Sequence, residues 1–386
     1  MLTQTASSAQ GGHVGKTNKA VILAAIVGVL ASAQAGAASY RYVDLAVPGG
    51  EGGTAWDVNN AGQIVGAAKF EEPGWYQAAL WDSGGHAVPL PSLGYMGGAY
   101  SINEAGQIAG VSQTPEGTRA TLWIGGSPVN LGMENLGRTT EARAINGAGR
   151  VAGYASYSGN EHALTWTDGT MGQGYWPRSS ASGINDKGVT VGFAGQLGAE
   201  QAMRWAADGA ATPLPTLGGT DGAAYAINES DQIVGWAATA DMSGRLRHAA
   251  LWDGGVALDL GTLPGGFVST AWDINEHGQV VGDSDAQLGP WNWRKHAVLW
   301  EDGQVIDLNS FIDQALAKDG WFLRTALGIN DKGWIVGVAQ NGFYQERAFL
   351  LVPIPEPQTF AMLAAGAGIL AAVVRKRRAR GVARAR

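Results

Sequence analysis

The chain predicts an all-β fold: a seven-bladed β-propeller closed by its N-terminal strand, flanked by an N-terminal signal helix and a C-terminal short transmembrane sorting helix. Three observations carry this reading. An Ile-Asn-x-x-Gly core, with Val58 for Ile in the first copy and Asp231 for Gly in the fifth, recurs at Asn59, Asn103, Asn146, Asn185, Asn228, Asn275 and Asn330, at intervals of 39 to 55 residues. A second mark follows each asparagine: a polar residue, Ala, two residues, then Trp. It runs Gln77-Ala78…Trp81, Arg119-Ala120…Trp123, His162-Ala163…Trp166, Gln201-Ala202…Trp205, His248-Ala249…Trp252 and His296-Ala297…Trp300. The seventh copy, Arg347-Ala348…Leu351, has Leu for Trp. Finally, Tyr40 to Leu45 has the pattern of a strand but no partners of its own. A period of this length marks an array of supersecondary units, each too small to bury its own apolar face.

Residues 1–38 read as a signal peptide. A polar start with Lys16 and Lys19 leads into the apolar run 20–30, and Ala33-Gln34-Ala35 has the small-x-small form of a cleavage site. Eleven apolar residues are too few to span a bilayer. Gly15-Lys16-Thr17 resembles the end of a P-loop, but Gln10 stands where that motif needs Gly and no strand precedes it.

Residues 39–352 hold the seven repeats. The sixth shows the unit: runs at 271–274, 279–282, 296–300 and 304–308, rich in Val, Ile and Trp and bounded by turn residues. Such runs read as short antiparallel strands. Asn275-Glu276-His277-Gly278 is a four-residue turn whose last position needs positive φ, where Gly, or Asp231 in the fifth copy, is tolerated. Asp168-Gly169 and Asp302-Gly303 signal tight hairpins. Four strands in about 45 residues is the size of a propeller blade. A fourth-strand Leu appears as Leu90, Leu131, Leu214, Leu260 and Leu308; the counterpart near Met171 lacks it, and the seventh unit ends without one. The spare strand at 40–45 is therefore expected to complete the last blade. One helix is expected at 311–317, capped by Asn309 or Ser310.

The full chain carries a net charge of −7 and has no cysteine. Without the two terminal segments, 17 basic residues face 32 acidic ones, a net −15 for residues 39–352. Such a surface repels phosphate backbones, which argues against nucleic acid as a partner.

Residues 353–386 form the second flank. Pro355, Glu356 and Pro357 precede fifteen apolar residues at 360–374, then Arg375-Lys376-Arg377-Arg378. Fifteen residues rise about 22 Å as a helix, short for a lasting anchor, and the basic end is held cytoplasmic by the positive-inside rule. This arrangement resembles the PEP-CTERM sorting signal. The resemblance implies export, removal of the tail by an exosortase-type enzyme after signal peptidase has acted, transient membrane anchoring through the tail helix, and a setting in exopolysaccharide or biofilm matrix. The repeats resemble the extracellular HAF family through His162-Ala163-Leu164, His248-Ala249-Ala250, His296-Ala297-Val298 and Arg347-Ala348-Phe349, although no copy carries all three letters. That family implies an extracellular location and no set activity.

No catalytic, cofactor or metal constellation is expected. There is no Cys, no Gly-x-Ser-x-Gly and no His-Glu-x-x-His. His162, His248 and His296 share a repeat slot with Gln and Arg, which reads as a structural donor. Asp283, Asp285, Glu301 and Asp302 lack the spacing of a calcium loop. The segments between second and third runs vary most and carry aromatic residues, so Trp75, Tyr76, Trp236, Trp291 and Trp293 are the candidate ligand-face residues, with sugar rings as stacking partners. The expected role is a non-enzymatic surface or matrix protein that binds extracellular polysaccharide. The alternative is a secreted propeller enzyme, a lyase or glycosidase, and paired carboxylates meeting in one pocket would favour it.

Overall fold

A computed structural model describes residues 39–355, except 73, 83, 133–138, 158–159, 197–198, 241–245 and 291. The chain opens with β1 (Ser39–Asp44) and then runs through the repeats. The first repeat is β2 (Glu51–Val58), β3 (Ile64–Lys69), β4 (Tyr76–Trp81) and β5 (Ala87–Pro89). The second is β6 (Gly97–Ile102), β7 (Ile108–Thr114), β8 (Gly117–Ile124) and β9 (Ser127–Asn130). The third is β10 (Thr139–Ile145), β11 (Val151–Tyr157), β12 (Asn160–Thr167) and β13 (Thr170–Pro177). The fourth is β14 (Ser179–Ile184), β15 (Thr190–Gln196), β16 (Ala199–Trp205) and β17 (Ala211–Pro213). The fifth is β18 (Gly218–Ile227), β19 (Ile233–Thr239), β20 (Arg247–Asp253) and β21 (Val256–Gly261). The sixth is β22 (Ser269–Ile274), β23 (Val280–Gly289), β24 (Asn292–Glu301) and β25 (Gln304–Asp307). The seventh has β26 (Phe322–Ile329), β27 (Ile335–Gln340) and β28 (Glu346–Ile354). Each repeat pairs its strands antiparallel in sequence order, and β1 lies outside β28 to make the sheet β1-β28-β27-β26.

The expectation of seven separate blades is corrected by the sheet pairing. The all-β propeller has five separate four-stranded blades, and the second and third repeats share one eight-stranded sheet. The join is a parallel bridge between Thr139 and Thr118. Beside the join, the Thr140 hydroxyl accepts the Ala120 N–H at 2.9 Å. The fourth strand sought near Met171 is present as β13.

The expected flanking helices are not part of the structure described. The signal helix falls within residues 1–38 and the sorting helix within 356–386, both outside the described residues. Among the described residues, no helix is long and apolar enough to cross a membrane. Helix among the described residues is confined to a 3₁₀ turn, Leu308–Phe311, and a five-residue helix, Gln314–Lys318. The cap of the latter is Asp313, whose carboxylate accepts the Ala315 N–H at 2.8 Å, and not Asn309 or Ser310. Asn309 is engaged elsewhere, bonding both ways with the backbone of Leu323.

The repeat marks have distinct physical tasks. The third-strand tryptophans, Trp81, Trp123, Trp166, Trp205, Trp252 and Trp300, are all buried between sheets. The seventh repeat has Leu351 at that slot and recovers aromatic volume two residues earlier with Phe349, also fully buried. Each turn asparagine is buried as well. Its side-chain oxygen accepts the N–H four residues on, as in Gln63 to Asn59 at 2.9 Å and Trp334 to Asn330 at 2.9 Å. Its amide donates to the carbonyl of the next turn asparagine: Asn59 to Asn103, Asn103 to Asn146, Asn146 to Asn185, Asn185 to Asn228, Asn228 to Asn275 and Asn275 to Asn330. Asn330 completes the ring on Asn59. The turn's last residue has positive φ in every copy, Asp231 included at 61°.

Candidate functional site

The first strand of every repeat is bulged at the same place. Ala55 pairs with Gly66 and Asp57 with Val65, which leaves Trp56 without a ladder partner. The same skip isolates Tyr100, Arg143, Ser182, Tyr225, Trp272 and Leu327. A bulge re-aims the extra side chain out of the sheet. Here the extra residue turns into the central channel, because the alanine before it is fully buried against the neighbouring sheet. The glycine opposite is obligatory: a Cβ on Gly66 would lie 2.0 Å from the Thr54 carbonyl oxygen.

These seven residues line a channel cavity of about 670 Å³. Tyr225 and Trp272 stack with ring centroids 4.5 Å apart, 13° from parallel. Trp56 meets Tyr100 edge-on at 4.9 Å. Arg143 lies over the rings of Tyr100 and Tyr154 at 5.5 and 5.4 Å, and pairs with Glu141 at 2.8 Å. The ring positions are fixed from behind. The Trp236 indole donates to the Tyr225 hydroxyl at 3.1 Å. The Trp272 indole donates to Asp283 at 2.8 Å, and Asp283 is held in turn by Lys295 at 2.6 Å.

One residue further along each strand, the slot holds the small residues Ser101, Ala144, Gly183, Ala226 and Gly328 in five repeats and the acids Asp57 and Asp273 in the other two. Asp57 accepts the N–H of Val58 at 2.7 Å and of Ile102 at 2.8 Å. Asp273 accepts those of Ile274 at 2.8 Å and Ile329 at 2.9 Å. The two belong to the sixth and first repeats, with Gly328 of the seventh between them, so no side chain from that slot stands between the carboxylates. Burial within the channel wall pushes the Asp273 carboxyl up to about 8, with the like charge of Asp57 as the second cause. Asp57 is also raised, again by burial first, against the bonds it accepts from Ile102 and Val58. The pair therefore holds one proton near neutrality.

The other end of the channel is a collar built from the asparagine turns. Glu104, Asp186, Glu229, Glu276 and Asp331 follow the ring asparagines. Each accepts a backbone N–H from the preceding repeat's turn, as Glu276 does from Glu229 at 2.8 Å. The acids are thus spent on closing the ring. No group of three or more His, Cys, Asp or Glu among the described residues is arranged to hold a metal ion.

The expected ligand-face aromatics do not converge. Trp236 is buried and supports the channel through Tyr225. Trp75 is exposed and donates its indole N–H to the Tyr95 carbonyl. Trp293 braces another loop, donating to the Gly265 carbonyl at 2.9 Å. Tyr76 lines a separate groove of about 560 Å³ with Trp321 and Tyr344. Trp291 lies outside the described residues, as do Glu356 and Pro357. The supposed loop after Asp283 is instead a long hairpin, with Asp285 opposite Lys295 and Gln287 opposite Trp293. Two of the slot histidines bond acids of their own sheet: His248 with Asp259 at 2.9 Å, His296 with Asp307 at 2.8 Å. Burial would raise the Asp307 carboxyl, but bonds from His296 and Asn309 outweigh it and hold it low. The channel wheel was missed in the sequence because its slot has no constant residue type. Its signal was the variation itself, Trp, Tyr, Arg, Ser, Tyr, Trp and Leu, within a frame otherwise held constant.

Residues 353–378 match the PEP-CTERM protein-sorting motif. The motif marks an exported protein, sorted by an exosortase-type enzyme to the cell envelope or surface. No curated protein matches the chain in sequence. Among solved structures, the chain is similar to the β-propeller domain of the Trilobed protease from Pyrococcus furiosus, described as having an open velcro topology. That match has 10% identity and a TM-score of 0.54, covering 79% of this chain and 99% of that one. TolB from Acinetobacter baumannii matches at 11% identity and a TM-score of 0.43, covering 79% of each chain. Identities this low speak to the fold alone.

Proposed function

We propose that this exported propeller is a non-enzymatic binding protein of the cell surface or extracellular matrix, and that its partner is extracellular polysaccharide. The repeats are read as HAF-type units that serve as a scaffold, after signal peptidase and the sorting enzyme have removed the two ends. The channel carries the reading: four aromatic rings, Trp56, Tyr100, Tyr225 and Trp272, are placed by bulges around one cavity of about 670 Å³. Flat, rigid rings around one cavity present large apolar faces with a polar edge, which suits the apolar faces of sugar rings.

The alternative, a secreted polysaccharide lyase or glycosidase, has one observation in its favour: Asp57 and Asp273 line the same cavity. Binding is preferred because both carboxylates already bridge repeats through backbone N–H groups. The exported protein, recovered from the cell surface, is to be tested on immobilised polysaccharides. Retention that Trp56→Ala with Trp272→Ala reduces at least tenfold is expected, without release of new reducing or unsaturated ends. Product release would favour the enzyme, and no retention by any polysaccharide would end the binding proposal. Intact mass of the same material should lack residues beyond about 360, and a retained basic end would contradict the sorting account.

A further inference from the structure

We infer that the channel cavity is a site for an ammonium group, held between the Asp57 and Asp273 carboxylates and the faces of Trp56, Tyr225 and Trp272. The inference rests on the reading of the channel as a binding site and deepens it by naming the chemistry of the ligand.

Three observations converge on this chemistry. The first is the balance of charge. Arg143 is the one cation lining the cavity among the described residues. It is already matched by Glu141 at 2.8 Å. Asp57 and Asp273 have backbone N–H partners, and Asp57 also bonds the Ser101 hydroxyl. Neither has a salt bridge among the described residues. Glu161 also lines the cavity and adds a further acid to it. The cavity is therefore short of positive charge at the place where it holds two acids.

The second observation is the rings. Aromatic faces attract cations through their quadrupole. The wheel demonstrates this with its own residue, since Arg143 rests 5.5 Å over the centroid of Tyr100. The opposite half of the wheel has Trp272 and Tyr225 stacked together, and Trp56 beyond Leu327, with no arginine of its own at the bulged slot. That half is the one that carries both acids.

The third is the proton. The charged groups around the pair are Asp331 near Asp273, Glu104 near Asp57, and Arg143 and Glu161 elsewhere in the cavity lining. Three of these four are acids, so the pair retains a proton that a bound cation would displace. Binding of a fixed cation then releases a proton below about pH 8 and tightens as pH rises toward that value.

The ammonium group has two possible sources, a free amine or an amino-sugar residue of a polysaccharide, and the test separates them. Titration calorimetry on the exported protein uses three probes: tetramethylammonium, a glucosamine tetramer and an N-acetylglucosamine tetramer. The expected result is binding of tetramethylammonium that strengthens at least threefold from pH 6 to pH 8. Proton release, read from buffers of different ionisation enthalpy, should accompany it. At pH 6 the glucosamine tetramer should bind at least tenfold more tightly than its acetylated form if the source is a sugar. If the source is a free amine, tetramethylammonium binds and neither tetramer does. Asp273→Asn and Trp272→Ala should each weaken binding at least tenfold, while Phe343→Ala, on an exposed loop, should not. Circular dichroism distinguishes lost binding from lost fold, and Trp272→Phe keeps a ring where the alanine variant unfolds. Measurable and equal binding of both tetramers overturns the ammonium site while leaving polysaccharide binding intact. Tetramethylammonium affinity that ignores both pH and Asp273→Asn overturns it as well.

Discussion

Asn330 donates its side-chain amide to the carbonyl of Asn59 at 2.9 Å, across 271 residues of chain. This bond joins the last repeat to the first, and a second follows it, from the Asp331 N–H to the Asn60 side chain at 3.0 Å. Both asparagines of the first pair are buried, so each polar atom left without its partner carries a desolvation cost of about 1–3 kcal/mol.

Asn330→Ala removes the donor to Asn59 and the acceptor used by the N–H groups of Lys332 and Trp334. The expected loss is about 2–4 kcal/mol. Chemical denaturation should report a lower midpoint with an unchanged slope. A variant as stable as the parent would mean the asparagine ring is dispensable.

The N-terminal strand closes the last sheet. The Leu45 N–H donates to the Ala348 carbonyl at 3.2 Å, Tyr40 and Leu45 are buried, and Val43 packs against the cluster that holds Leu350. Deleting residues 40–45 strips β28 of its outer neighbour and bares a strand edge. Thermal melting should drop by several degrees with visible aggregation, since two buried side chains alone contribute about 3–5 kcal/mol. A melting curve that overlays the parent would show that the edge needs no cover.

The aspartate pair makes stability depend on pH with a defined sign. The unfolded chain loses the Asp273 proton in the ordinary carboxylate range, whereas the folded protein keeps it to about pH 8. Between those values the folded state binds more protons, so stability falls as pH rises and levels off above about 8. Asp273→Asn removes the titration at the cost of one acceptor for a backbone N–H. Its melting temperature should change less between pH 5 and pH 8 than that of the parent. An identical slope in both proteins would place the titration elsewhere.

Two equally buried tryptophans differ in one bond. The Trp252 indole donates to the Pro215 carbonyl at 2.7 Å, whereas the Trp81 indole N–H has no partner among the described residues. Phenylalanine at either site leaves a similar void. Trp252→Phe should therefore cost about 1–2 kcal/mol more than Trp81→Phe. Urea unfolding of the two variants measures this, and equal losses would show that packing alone sets the value of the slot.

Much of the architecture was legible in the sequence because its causes are local. Asn-x-x-Gly needs a positive φ at its last residue and a side chain that can cap the turn, so it announces each turn wherever it stands. Trp at the end of the third run is large and apolar enough to demand burial without reference to any partner. The spare strand at 40–45 could be assigned to β28 because an edge without a neighbour is costly whatever the shape of the rest. The sorting motif at 353–378 is likewise a linear signal. Tertiary structure alone decided three things. Sheet count depended on whether Thr139 came within pairing distance of Thr118, which no local rule specifies, and it did. An aromatic-lined cavity formed in the channel, because a bulge opposite Gly66 and its equivalents turns one residue per repeat inward. Asp57 and Asp273, more than 200 positions apart, became one titrating pair only when the ring closed and set Gly328 between them. Charge coupling falls with distance through space, and distance through space is what a sequence does not contain.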